Sequence, residues 1–180
     1  MLNAGCVERL FEDCYAAIPI SNIRMVNCRN ISIEDVILID SPNWVLALFD
    51  CDTVNIDNVK IVGQWRYNSD GIDFANTSNV TLRNSFIRSF DDTVVLKQIY
   101  NHSVVENITV ENCVLWCNWG KTLEIGLETA GEEYRNIHFR DCYLIHNSTG
   151  TMAISNGNYA DIHDVTYENI HVEYQRTSMR

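Results

Sequence analysis

A nine-residue phrase returns six times along the chain, and its spacing leaves few folds open. It reads NISIEDVIL from Asn30, TVNIDNVKI from Thr53, NVTLRNSFI from Asn79, NITVENCVL from Asn107, NIHFRDCYL from Asn136 and DVTYENIHV from Asp164. The starts lie 23, 26, 28, 29 and 28 residues apart, a period at which each repeat is one structural unit stacked on the next, and far too long for a heptad. Within each phrase apolar and polar residues alternate with period two, as in a strand with one buried face. The alternation changes phase at Asp35, Asn58, Asn84, Asn112, Asp141 and Asn169. These residue types tolerate positive φ, so each phrase predicts two short strands around a tight corner.

A second strand-like run precedes four of the phrases: VLALF at 45–49, GIDFA at 71–75, VVLK at 94–97 and LEIG at 123–126, with MAIS at 152–155 completing the column. Stacked coils of this kind predict an all-β, single-stranded parallel β-helix of about six coils, spaced by about 4.8 Å. Inward positions then form ladders, one of them Ile31, Val54, Val80, Ile108, Ile137 and Val165.

A chain of 180 residues with 46% hydrophobic residues is long enough for one core, and residues 1–180 are expected to form a single β-helix domain. Its net charge of -11 excludes nucleic acid as a partner, because phosphate binding needs a basic face. No apolar run is long enough to span a membrane as a helix. Seven cysteines (Cys6, Cys14, Cys28, Cys51, Cys113, Cys117, Cys142) form neither a disulfide framework nor a zinc pattern, and no metal or cofactor is called for. Cys28 with Cys51, and Cys113 with Cys142, occupy equivalent repeat positions, which suits buried thiols acting as small apolar residues. The six sequons, at Asn30, Asn76, Asn79, Asn101, Asn107 and Asn147, are by-products of the repeat. MLNAGCVERLFEDC lacks the apolar core of a secretory signal. Residues 1–25 make a poor cap for an open first coil, so the expectation is a truncated chain or a homo-oligomer that covers the edge.

Aligning the second runs on core burial places Leu46, Ile72, Val94, Leu123 and Met152 at one inward position, with Leu48, Phe74, Leu96, Ile125 and Ile154 two residues later. Two residues upstream stand Trp44, Asp70, Asp92, Lys121 and Gly150. Asp70 and Asp92 therefore fall one above the other in adjacent coils, with Asp91 beside them. Carboxylates about 5 Å apart cannot all ionise freely. One is expected to hold a raised pKa while the others stay charged, a division that suits glycoside hydrolysis.

At these residues the chain resembles the family 28 glycoside hydrolases, the polygalacturonase-like enzymes of the right-handed, pectin-lyase-like β-helix. Their Asn-Thr-Asp element is similar to Asn68-Ser69-Asp70, followed by Gly71-Ile72-Asp73, and their Asp-Asp element to Asp91-Asp92. The resemblance covers roughly residues 26–174. It implies Asp91 as general acid, Asp70 and Asp92 as the pair that holds the hydrolytic water, inversion at the anomeric carbon, and a secreted protein acting on pectin or a related cell-wall polysaccharide or oligosaccharide. Asn68 and Asp73 are candidate substrate ligands by the same likeness. Two elements depart from the family: its Gly-His-Gly aligns with Gly120-Lys121-Thr122, and its Arg-Ile-Lys with Ala153-Ile154-Ser155. Lys97, on the outward column of Ser155, is a candidate for a displaced cation. Trp44, Gln64, Trp65, Arg66, Trp119, Glu124 and Glu128 are candidate groove-lining residues, Glu124 facing outward by the strand alternation, and Lys121 is a candidate for substrate binding or for the base of a lyase. Three functions stay open: an inverting glycosidase with altered substrate-binding cations, an inactive glycan-binding β-helix, and a uronate lyase or epimerase.

Overall fold

The computed structural model describes residues 20–100 and 102–173. Cys6, Cys14, the sequon at Asn101, the N-terminal signal reading and residues 1–19 of the cap lie outside the described residues.

Three parallel sheets run the length of the molecule, each taking one strand per coil. The first holds Ile23–Val26, Leu46–Phe49, Ile72–Ala75, Val94–Gln98, Lys121–Thr129 and Gly150–Asn156. The second holds Arg29–Glu34, Asp52–Asp57, Ser78–Arg83, Val104–Glu111 and Glu133–Arg140, then Asp161–Ile162 and Val165–Glu168, both paired with Glu133–Arg140. The third holds Ile37–Ile39, Lys60–Val62, Phe86–Ser89, Val114–Cys117, Tyr143–His146 and His171–Val172. The fold is thus the expected β-helix, with no helix among the described residues.

The register follows from the alternation. Ile31 pairs with Val54, Val54 with Val80, Val80 with Ile108, Ile108 with Ile137 and Ile137 with Val165. The first sheet keeps Leu46, Ile72, Val94, Leu123 and Met152 in line. Between the sheets these ladders meet in one continuous apolar core, in which Phe74, Leu82, Ile108, Tyr134 and Phe139 are fully buried. A one-residue slip would turn a whole ladder into solvent, which is why core burial fixes the register.

The corners are built on left-handed residues. All six phase-change positions have positive φ, from 49° at Asn112 to 57° at Asp35. A second column that the alternation does not announce, Asn30, Thr53, Asn79, Asn107, Asn136 and Asp164, is also left-handed. Asn is favoured there because it enters this region at low cost and its amide bonds to the coil below. Asn107 Nδ2 donates to Asn79 Oδ1 at 2.8 Å, and Asn136 Nδ2 to Asn107 Oδ1 at 2.6 Å. Just after several corners a small side chain points inward and donates to the carbonyl two residues back. Cys28, Cys51, Cys113 and Cys142 do so at 3.2 to 3.3 Å, Thr77 at 3.1 Å and Ser85 at 2.8 Å. These thiols are unpaired and serve as corner plugs, as their repeat positions suggested.

Candidate active site

The outward face of the first sheet carries the acidic residues. Val45 N–H donates to Asp70 O, Gly71 N–H to Asp92 O and Thr93 N–H to Lys121 O, at 2.8 to 2.9 Å, and Lys121 pairs with Gly150. Residues 70, 92 and 121 therefore succeed one another up the sheet, as the alignment of the runs requires. Three residues on, Asp73 pairs with Val95 and Val95 with Glu124, forming a second outward column beside the first.

Asp91 is pinned through its main chain. Its carbonyl accepts from Ser89 Oγ at 2.6 Å and from Cys117 Sγ at 3.3 Å. Its Oδ1 accepts from Asp92 N–H at 3.1 Å. Asp92 Oδ1 in turn accepts from Lys121 N–H at 2.7 Å. Gly120 closes against both side chains: a Cβ there would come within 2.4 Å of Asp92 Oδ1 and 2.5 Å of Asp91 Oδ1. Only a residue without a side chain lets both carboxyl groups share this approach.

The two lysines are engaged by carboxylates. Lys97 Nζ lies 3.8 Å from Asp70 Oδ2, 3.6 Å from Asp73 Oδ1 and 3.4 Å from Glu128 Oε2, over the Trp44 ring at 4.5 Å. Lys121 Nζ lies 2.8 Å from Glu124 Oε1. Glu124, Asp73 and Lys97 do face outward, yet they are almost fully buried. Alternation reports which face a side chain takes; it does not report what covers that face.

Burial shapes the titration. Asp70, Asp73, Asp91 and Asp92 all sit above the usual carboxylate range, and for each the largest cause is loss of water around the charge. The expectation of a single raised group driven by mutual repulsion is corrected here: repulsion is present, but desolvation leads. Asp73 is pushed up to about 8, with Lys97 opposing the shift, and Asp92 to about 7, with Glu124 adding to it. As carboxylates, Asp73 Oδ1 and Oδ2 receive no hydrogen bond from a described residue.

A sign follows for stability. Groups whose folded pKa is raised stabilise the fold fully below the unfolded value of 3.8 and lose that contribution as pH rises through about 7 for Asp92 and about 8 for Asp73. Asp52, Asp57 and Glu133, lowered by hydrogen bonds from Thr53, Asn84 and His163, act in the opposite sense but only in more acid solution. The free energy of unfolding from urea titrations is expected to fall from pH 5 to pH 8, on the order of 1 kcal/mol per pH unit. A flat or rising profile would contradict the buried-acid cluster.

The remaining candidates divide. Trp119 packs on Tyr67 at 4.8 Å and on Phe90 at 6.2 Å between ring centres, forming an aromatic patch next to Gly120 and the acids. Tyr67 was not singled out from the sequence, although an aromatic residue directly before Asn68 was the available signal. Trp65 is half exposed, with Nε1 donating to Asp40 Oδ1 at 2.9 Å and its ring under Arg66. Arg66 is itself paired with Asp40. Gln64 is no groove residue: it is buried, accepting from Ser41 N–H at 2.9 Å and donating to Val62 O at 3.1 Å. Asn68, half-buried, takes positive φ at 56° beside Asp91. Among the described residues no group of His, Cys, Asp and Glu is arranged to hold a metal.

Comparison with known proteins bears on this geometry. The family model for glycosyl hydrolases family 28 matches residues 15–176. Curated relatives include a probable rhamnogalacturonase B from Aspergillus terreus, 28% identical over 82% of this chain and 26% of its own length. A probable rhamnogalacturonase A from Aspergillus oryzae is 29% identical over 82% of this chain and 30% of its own length. Rhamnogalacturonase A from Aspergillus aculeatus is 27% identical over 82% and 32%. The chain thus spans about a third or less of the length of these relatives. Among solved structures, a hyperthermoactive exopolygalacturonase from Thermotoga maritima superposes with a TM-score of 0.62 at 19% identity, over 83% of this chain and 42% of the other.

Proposed function

The chain belongs to glycosyl hydrolases family 28, and from that premise we propose that it hydrolyses a glycosidic bond of a pectin-type polysaccharide by acid and base catalysis with inversion. Asp91 gives its proton to the leaving glycosidic oxygen. Asp70 and Asp92 orient a water molecule, which adds to the anomeric carbon as the bond breaks and passes its proton to the pair. Loss of one proton and gain of the other leave the site ready after exchange with solvent.

The observation that carries this reading is the backbone ladder that brings residues 70 and 92 into successive coils, with Asp91 and Asp92 half-buried and Gly120 closed against both. Burial keeps a proton on Asp91 above the ordinary carboxylate range, as an acid catalyst requires. Lys97 draws the Asp70–Asp73 pair toward its ionised form, against the burial that raises both groups. The aromatic patch of Tyr67 and Trp119 offers ring faces to a sugar.

A polysaccharide panel including rhamnogalacturonan and polygalacturonan tests the reading, with new reducing ends followed by proton NMR. The expected product carries the anomeric configuration opposite to that of the bond cleaved. Retained configuration removes the inverting mechanism, and an unsaturated product absorbing in the ultraviolet replaces hydrolysis by elimination. A second reading, glycan binding without chemistry, is favoured by Lys121 in place of the family histidine and by Ala153 and Ser155 in place of its two cations. Binding to a glycan with no release of reducing ends from it would select this second reading.

A further inference from the structure

The three carboxylates around Lys97 differ in kind. Asp70 and Asp73 are fixed in the sheet, their side chains 4% and 0% exposed, whereas the Glu128 side chain is 49% exposed. Glu128 approaches the ammonium from the solvent side, at the far end of the strand Lys121–Thr129, with its main-chain carbonyl held by Tyr134 Oη–H at 3.1 Å. Its 3.4 Å approach is the shortest of the three, so what sets Glu128 apart is its exposure to solvent and not a longer contact. Exchanging one carboxylate for another at this position leaves the charge facing Lys97 unchanged. Removing it without replacement does not.

We propose that Lys97 forms a carboxylate-binding subsite, that Glu128 occupies it at rest, and that the carboxylate of a uronate sugar takes its place. The buried aspartates hold the lysine in position and leave one side of the ammonium to a displaceable partner. The Trp44 ring, 4.5 Å from Nζ, forms another wall of the subsite. The choice of a uronate as ligand rests on the pectin-hydrolase reading, but binding alone tests the subsite.

Galacturonate, with galactose as neutral control, is titrated by calorimetry into the wild-type chain, Glu128→Gln and Glu132→Gln. Glu132 is an exposed acid paired with His102, so its variant controls for the loss of one negative charge. Glu128→Gln is expected to bind galacturonate about two- to fivefold more tightly, the range released by breaking an ion pair whose acid is half exposed. Galactose affinity stays constant, and Glu132→Gln behaves as wild type. Unchanged or weaker galacturonate binding in Glu128→Gln overturns the proposal, as do an equal gain in Glu132→Gln and the absence of galacturonate binding to every variant. Lys97→Met, where it folds, loses the preference for galacturonate over galactose; a retained preference also overturns it. A chain that binds in this way but releases no sugar keeps the subsite and loses the hydrolase reading.

Discussion

Asp91→Asn is expected to lower turnover on the cleaved polysaccharide by about 10²- to 10⁴-fold, the range that a positioned general acid contributes. The substitution keeps the side-chain volume and leaves untouched the Ser89 and Cys117 bonds to the main-chain carbonyl. The unfolding midpoint is therefore expected to stay close to that of wild type. The amide cannot give a proton to the leaving oxygen, so the loss falls on kcat more than on KM. Release of reducing ends at saturating substrate, read beside a urea titration, checks both parts. Turnover at the wild-type rate by a folded Asp91→Asn would remove Asp91 from the mechanism, whatever the fate of the fold.

The second large effect is on stability. Lys97→Met leaves Asp70 and Asp73 buried beside each other without their cation, and loss of one partner from a buried ionic group costs about 3–5 kcal/mol. The sign with pH is specific. Without the ammonium, both aspartates hold their protons to higher pH in the folded chain, while the unfolded value of 3.8 is unchanged. Stability tied to those protons is complete below about pH 4 and is lost as pH rises through the folded values. The gap between wild type and Lys97→Met should accordingly be small near pH 4 and widest near pH 8. Urea midpoints at three pH values would measure it, and a gap independent of pH would mean that Lys97 contributes packing and not charge.

Much of the architecture was legible in the amino-acid order because a solenoid repeats its grammar. Period-two alternation located the strands, and the Asp or Asn at each phase change located the corners, all six of which are left-handed. The vertical order of residues 70, 92 and 121 followed from the same register. What remained hidden depends on contacts between residues far apart in the chain. That Lys97 meets Asp70, Asp73 and Glu128 is decided by side-chain direction and by the segments over the outer face, neither of which has a period. The desolvation of Asp73 and Glu124 escaped for the same reason, since an outward position in a strand ordinarily meets water. Gln64 misled because its polarity suggested a groove, whereas its amide satisfies buried backbone groups inside the turn.

The close approach of Gly120 to Asp91 and Asp92 has a practical side for protein engineering. Any other residue at position 120 brings a Cβ within 2.5 Å of both carboxyl oxygens and of the Asp92 main-chain nitrogen, so a library that varies this position moves the two acids in nearly every member. Diversity belongs instead at Trp65, whose ring is half exposed, and not at Tyr67, which packs on Trp119 at 4.8 Å beside Gly120. Selection can then reshape the rim while the two carboxyl groups keep their places.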